Sequence, residues 1–329
     1  MKKFLVINTS FFGDVLLTDV LCQNIKIQYP DSRITFLVNR PFYEAARYLA
    51  GVDEVFCIDK QGKHKGLWGL IRFLRENRGV YPHGFDAAFV LYGNERGLCI
   101  AKALGARQII SENDSILHCL FSTIPVKKNI SGSVQQANAR LLTALTGKLP
   151  VDIPMQYSPP VEAVSYAREL LNQLAVRPAD KLIGLCTTSK KIVKDMPLAT
   201  AVQLISDLNN KGYKTVLLGA GGQAADYAAG LRAYGCAFLD LTDKTSIAQL
   251  AAVIQKCQAV ISVDTGTLHL TCALGVPLLA LFYLNDDKHL TKWAPAGYYP
   301  HILLAGEINT DTIQQGLQTL LAVEGESTV

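Results

Sequence analysis

The 329-residue chain lacks an apolar run long enough to cross a bilayer, and its longest candidate, Val276 to Leu284, is the length of a strand. It also lacks a charge surplus: 32 Lys+Arg against 28 Asp+Glu leave +4, too little for a dedicated nucleic-acid binder but enough for a local phosphate-binding patch. Its eight cysteines, at 22, 57, 99, 119, 186, 236, 257 and 272, form no C-x-x-C pair and sit mostly in apolar runs. That pattern predicts free buried thiols in a reducing compartment. The six histidines, 64, 83, 118, 269, 289 and 301, are scattered without a ligand pair at helical spacing, so no metal site is expected. No G-x-S-x-G, G-x-x-x-x-G-K-[ST] or H-E-x-x-H occurs. The opening MKKFLVINTS is broken by Asn8, Thr9, Ser10 and Asp14 and precedes no A-x-A site, so no signal peptide is expected.

What the chain does have is 49% hydrophobic residues, enough for two packed cores. Short β-type runs alternate with helical patterns throughout. Phe4–Ile7, Arg33–Val38, Glu54–Ile58 and Ala87–Leu91 read as strands, with helices over Val15–Tyr29, 66–78 and 94–104. A proline-bearing stretch, Pro150 to Pro160, precedes a second series: Leu182–Cys186, Lys214–Leu218, Ala237–Leu239, Ala259–Val263 and Leu278–Phe282. Helices near 198–211, 223–234, 246–257 and 267–275 separate them, and a last one covers about 310–323. Such alternation predicts two α/β domains, each a doubly wound parallel sheet, divided as 1–155, 156–308 and a final 309–329 segment. Ligands then belong in loops after the carboxyl ends of strands.

Four such loops carry chemistry. Asn8 to Asp14 puts a carboxylate in the first helical turn, where it can take a proton from a hydroxyl or simply complement the helix dipole. Ser262-Val263-Asp264-Thr265-Gly266-Thr267-Leu268-His269-Leu270 joins a strand to a helix. It can offer amides to a diphosphate, or Asp264, Thr265 or Thr267 can cap the helix unaided. Thr187-Thr188-Ser189-Lys190-Lys191-Ile192-Val193-Lys194 sets hydroxyls and lysines after a strand, suited to phosphate or to water. Gly219-Ala220-Gly221-Gly222-Gln223-Ala224 fits G-x-G-x-x-A, and Asp240 follows Gly219 by 21 positions. That is the spacing of a dinucleotide fingerprint and the basis of an alternative as an NAD-dependent oxidoreductase, although it follows the second strand of its domain rather than the first. A basic stretch, Lys60, Lys63, Lys65, Arg72, Arg75 and Arg78 around Trp68, fits either a solvated helix face or contact with an anionic acceptor or leaflet.

In this order the motifs resemble glycosyltransferase family nine, the bacterial lipopolysaccharide heptosyltransferases. FLVINTSFFGDVLLT at 4–18 is similar to the family's opening strand and Gly-Asp. KTVLLGAGGQ at 214–223 is similar to its glycine turn, and LTDKTSIAQLAAVIQKCQAVISVDTGTLHLTCALGVPLLALF at 241–282 is the most specific match. The resemblance implies a GT-B fold with the active site between two Rossmann-like domains. It implies inverting, metal-independent and cofactor-free transfer from a nucleotide-diphosphate sugar, typically ADP-heptose, to a lipopolysaccharide core. The final helix would cross back to the first domain, and the enzyme would be cytoplasmic or peripheral at the inner membrane. Residue by residue it implies Asp14 as general base, and Thr187, Thr188, Lys194, Gly219, Gln223, Asp264, Thr265, Gly266, Thr267 and His269 on the donor. Ser10, Gly13, Lys60, Lys63 and Lys65 become acceptor-side candidates. The chain departs from the pattern at Gln223, where glutamate is common, at Met196-Pro197 for Trp-Pro, at Thr267 for proline and at Tyr283-Leu284 for Gly-Pro. A non-catalytic nucleotide-sugar binder of the same fold is the third alternative.

Overall fold

The computed structural model describes residues 1–77, 79–92, 95–112, 121–126, 132–284 and 286–326, with side chains through 322. Arg78, His118 and Cys119 lie outside the described residues. The chain divides into two compact units, Met1–Gln156 and Tyr157–Val329.

The first unit holds a six-stranded parallel sheet: β1 (Lys3–Asn8), β2 (Arg33–Asn39), β3 (Glu54–Ile58), β4 (Phe85–Val90), β5 (Ala106–Glu112) and β6 (Ile124–Val126), ordered β3-β2-β1-β4-β5-β6. The second holds β7 (Lys181–Cys186), β8 (Tyr213–Leu217), β9 (Leu239–Asp240), β10 (Ala259–Val263), β11 (Leu278–Phe282) and β12 (His301–Ala305), ordered β9-β8-β7-β10-β11-β12. Central strands such as KFLVIN and AVISV are apolar almost end to end because helices cover both of their faces. One core gathers Leu5, Ile7, Leu37, Phe73, Val90 and Leu98, and the other Ile183, Leu185, Leu204, Ile261, Leu279 and Ile313. In each order the strand sequence reverses once, between β1 and β4 and between β7 and β10, and doubly wound sheets bind ligands beside such reversals.

One expectation needs correction. The helix read as Val15–Tyr29 is two, Phe12–Leu16 and Asp19–Gln28. The Thr18 hydroxyl donates to the Asp14 carbonyl at 2.9 Å, and the Asn8 amide donates to that carbonyl and to Thr18 Oγ1, both at 2.9 Å. These polar side chains satisfy backbone at the break. The last helix, Thr310–Glu326, packs on β11, β12 and the helix Leu198–Asn210 within the second unit. Ile313, Leu317 and Leu320 form one helical stripe in that core. Gly316 lets the backbone approach Leu279, whose Cδ1 would lie 2.9 Å from an added Cβ.

The seven described cysteines are free; Cys22, Cys186, Cys257 and Cys272 are buried, whereas Cys57, Cys99 and Cys236 are half-buried. Among the described residues no helix is long and apolar enough to cross a membrane, and no three His, Cys, Asp or Glu side chains cluster to hold a metal ion.

Candidate active site

The second unit gathers its candidates where β7 and β10 part. Parallel pairing sets Ser262 beside Cys186, so the loops after both strands leave the sheet together. Asp264 lies in one loop, only 7% exposed, and its Oδ2 takes a hydrogen bond from Lys194 of the other. The same oxygen meets His289 Nε2 at 2.6 Å. Burial alone would raise the Asp264 pKa, but Lys194, His269 and His289 outweigh it and hold the carboxyl below its ordinary value. His269 shows the opposite balance: burial dominates over the pull of Asp264 and lowers its pKa to about 4, so the imidazole is neutral at pH 7. Trp293 walls both histidines, with ring centroids 6.2 Å from His269 and 6.5 Å from His289.

Helix Gly266–Ala273 begins at this carboxylate. Thr265 is its N-cap residue, with extended backbone (φ −151°, ψ 175°), yet its side chain makes no capping hydrogen bond. Asp264 is turned to Lys194 and His289 instead of the helix. The simple capping alternative for this loop therefore does not hold for either residue. Thr267 and His269 are buried within the first turns.

The neighbouring loop of β7 is folded back on itself. The Met196 amide donates to the Thr187 carbonyl at 2.9 Å, and Ser189 N–H donates to Asp195 Oδ1 at 2.7 Å. The other Asp195 oxygen accepts from the Gln223 side-chain amide, which ties this loop to the glycine turn after β8. There Gly219 sits under Ala224: a Cβ added at Gly219 would lie 2.9 Å from the Ala224 Cβ and 3.8 Å from the Thr188 hydroxyl. Gly221 needs φ of +91°, and its amide donates to Asp243 at 2.7 Å. Thr187, Thr188, Lys194, Gly219, Gln223, Asp264, Thr265, Gly266, Thr267 and His269 thus lie on loops and helix starts at one end of one sheet.

The dinucleotide alternative fails here. Its glycine turn follows β8, one strand away from the reversal. Asp240, which would receive a ribose, is paired with Arg232, and its Oδ1 accepts from the Thr242 amide at 2.9 Å.

In the first unit Asp14 occupies the equivalent place after β1. It is 8% exposed, and its Oδ2 accepts from the Phe11 amide at 3.1 Å. Lys60, arriving after β3, donates to the Thr9 carbonyl at 2.7 Å and to the Thr9 hydroxyl at 3.2 Å. Its pKa is lowered by burial and by Arg96. Ser10 and Gly13 lie in the same turn, and the Ser10 amide donates to Asn8 Oδ1 at 3.0 Å. Lys63 is drawn away to Glu76 at 3.0 Å, and Lys65 is exposed at the start of the next helix.

The model of glycosyltransferase family 9 (heptosyltransferase) matches residues 73–304, more than half of the chain. The chain belongs to glycosyltransferase family 9. Lipopolysaccharide heptosyltransferase 3 of Escherichia coli is 25% identical over 301 residues, covering 86% of this chain and 84% of that protein. Lipooligosaccharide heptosyltransferase 2 of Haemophilus ducreyi is 24% identical over 304 residues, covering 85% and 83%. The family 9 structure from Veillonella parvula superposes with a TM-score of 0.88 at 21% identity, covering 98% and 97%. The E. coli ADP-heptose lipopolysaccharide heptosyltransferase II structure superposes at 0.81 with 19% identity, covering 99% and 100%. The fold of this family 9 member is therefore the expected α/β GT-B type, and the protein is a glycosyltransferase.

Three functional partners were not found from sequence. His289 was one of six scattered histidines, yet it reaches Asp264 from a helix 25 positions downstream. Asp195 adjoins Lys194 but was not singled out; its contacts with Ser189 and Gln223 mark it. Asp286 is the N-cap that starts the His289 helix, accepting from the Lys288 amide at 3.0 Å.

Proposed function

We propose that this family 9 enzyme transfers heptose, with inversion, from ADP-heptose to a lipopolysaccharide core acceptor. The observation that carries the donor side is the Lys194–Asp264–His289 cluster beside the uncapped start of helix Gly266–Ala273. A departing nucleoside diphosphate gains negative charge as the glycosidic bond breaks. First-turn amides, the helix dipole and a cation supply stabilisation at that point, with no bound metal needed for the step. Asp264 holds the Lys194 ammonium in place before the donor arrives, so its ordering is not deferred to the transition state.

Asp14 is the general base on the acceptor hydroxyl. Attack of that hydroxyl on the anomeric carbon forms the new glycosidic bond, ADP leaves with the old bonding pair, and Asp14 takes the proton. A single displacement of this kind inverts the centre. Thr187, Thr188, Gly219 and Gln223 line the donor, while Ser10, Gly13 and Lys60 face the acceptor, with Lys63 and Lys65 farther along the same loop. The heptosyltransferase names of the relatives, over more than four-fifths of both chains, support the sugar and the acceptor class.

The acceptor class is carried on lipid, and this suits a cytoplasmic enzyme touching the inner membrane peripherally. Helix Gly66–Asn77 favours that contact: Leu67 and Trp68 are 69% and 81% exposed beside Lys65, Arg72 and Arg75. The test of the function is transfer from ADP-heptose, against UDP- and GDP-sugars, to heptose-deficient lipopolysaccharide, with product mass and anomeric configuration as readouts. A mass gain of one heptose with inverted configuration is expected. No transfer from ADP-heptose, with transfer from another nucleotide sugar, would reject the donor.

A further inference from the structure

The loop after β7 carries an acid to which no part has been given. Asp195 is the one acid between Thr187 and Pro197, a stretch that also holds Lys190, Lys191 and Lys194. The ends of this loop are fixed. Thr187 and Met196 are buried, the Met196 amide donates to the Thr187 carbonyl at 2.9 Å, and the Tyr227 hydroxyl of helix Gly222–Ala233 donates to the Met196 carbonyl at 2.9 Å. The tip is different: its apolar residues, Ile192 and Val193, are 79% and 64% exposed. Burial of apolar surface therefore does not order the tip, and polar contacts must offset the entropy lost in fixing it.

Asp195 supplies those contacts. Its Oδ1 accepts from the Ser189 amide at 2.7 Å, across the loop, and its Oδ2 accepts from the Gln223 side-chain amide, outside the loop. Each carboxylate oxygen thus has a different anchor, one on each side of the tip. Between the anchors the chain makes a tight turn over Ile192–Lys194. There the Lys194 amide donates to the Lys191 carbonyl at 2.8 Å and the Asp195 amide to the Ile192 carbonyl at 3.0 Å. Lys194 immediately precedes the bridging acid, and its ammonium is the group that reaches Asp264. The backbone of Lys194 cannot shift without pulling on the Asp195 bridge.

We infer that Asp195 is a positioning residue for Lys194: by bridging the Ser189 amide and the Gln223 side chain, its carboxylate closes the loop onto the glycine turn and sets the ammonium against Asp264 before a diphosphate arrives. This rests on Lys194 serving the donor diphosphate. A loop already closed loses little further freedom when the donor binds, whereas a loose one would have to be ordered at that moment and would weaken binding. Asp195 itself makes no contact with the donor in this account and acts through the lysine.

The experiment acetylates the full chain with an N-hydroxysuccinimide ester and follows Lys194 against the exposed Lys256 by peptide mass. In the unaltered chain Lys194, 15% exposed and ion-paired, should be labelled slowly. Asp195→Ala should raise its rate about tenfold relative to Lys256. Asp195→Asn should restore most of the protection, because its carboxamide still accepts from Ser189 and can pair with a turned Gln223 amide. In calorimetry, Asp195→Ala should weaken ADP binding about tenfold in the unaltered chain and change it little in a Lys194→Ala chain, where no ammonium is left to position. Unaltered Lys194 labelling or unaltered ADP affinity in Asp195→Ala overturns the inference. So do additive losses of ADP affinity, which would give Asp195 a separate route to the donor. An Asp195→Asn chain labelled as fast as Asp195→Ala also overturns it, assigning the effect to charge rather than to the bridge. If the unaltered chain binds no ADP, the donor reading falls, while the labelling still decides whether Asp195 holds Lys194.

Discussion

The strand reversals of the two units have one topology and opposite electrostatics. Beside β1 and β4, the Asp14 carboxylate accepts from the backbone amide of Phe11. Beside β7 and β10, the Asp264 carboxylate is locked to an ammonium and an imidazole. A carboxylate held by a neutral donor keeps a lone pair that can accept a proton, whereas one bound to a lysine holds the cation. On the proposed function, the same sheet order serves a base in one unit and an anion site in the other, and the difference lies in what neighbouring loops bring to the acid.

If that division is right, substitutions in the first unit change turnover and those in the second change binding. The largest effect is expected for Asp14→Asn, with kcat reduced about 10²–10⁴-fold and ADP affinity in calorimetry unchanged. A large loss of ADP affinity in that variant would break the division. Next comes Lys194→Ala, which removes a charged donor and leaves the buried Asp264 carboxylate short of its partner. ADP should bind about tenfold to a hundredfold more weakly, and Tm should fall. A Lys194→Ala chain with normal ADP affinity and low kcat would erase the contrast.

The pH dependence of stability sharpens the comparison, because the units slope in opposite directions. His269 has its pKa lowered from 6.5 to about 4 by burial. The unfolded chain binds its proton first, so this contribution is complete above about 6.5 and is lost as pH falls toward 4. Asp19, buried in the first unit, has its pKa raised from 3.8 to about 6 by burial, against hydrogen bonds from Gln156, Gly51 and Gln23. Here the folded chain binds the proton more tightly, so stability is greatest below 3.8 and declines as pH rises through 6. In thermal melts from pH 4 to 7, His269→Gln should remove the first slope and Asp19→Asn the second. Identical profiles for both variants and the unaltered chain would show that neither group titrates as described.

The smallest expected effect concerns Gln223, whose amide donates to Asp195. Gln223→Glu sets two carboxylates against each other and should weaken ADP binding several-fold; adding Asp195→Asn should restore it. Failure of the second change to restore binding would detach the pair from the donor loops.

Most of the strands were legible because a sheet covered on both faces demands unbroken apolar runs, as in Ala259–Val263 and Leu278–Phe282, which match the structure residue for residue. The helices at the edges were less so. The break at Leu17-Thr18 depends on side-chain hydrogen bonds that no periodicity encodes. Among site residues, Asp14, Lys194, Asp264 and His269 stood out because each lies in a polar segment that follows a strand. His289 did not, because its local sequence is ordinary and it acquires meaning only from a carboxylate on another loop.

Composition and alternation alone determined that this chain forms two doubly wound sheets, since apolar runs of strand length, separated by amphipathic helices, bury their faces in few other ways. The order of motifs was enough to point to the family. Which acid is tethered to a cation was decided by folding, because ionisation depends on charges and dipoles within a few ångströms, and parallel strand pairing brings Lys194 and Asp264 together from 70 positions apart. The docking of the last helix was decided in the same way: the stripe Ile313, Leu317 and Leu320 requires an apolar partner, but only the open surface over β11 and β12 identifies which one.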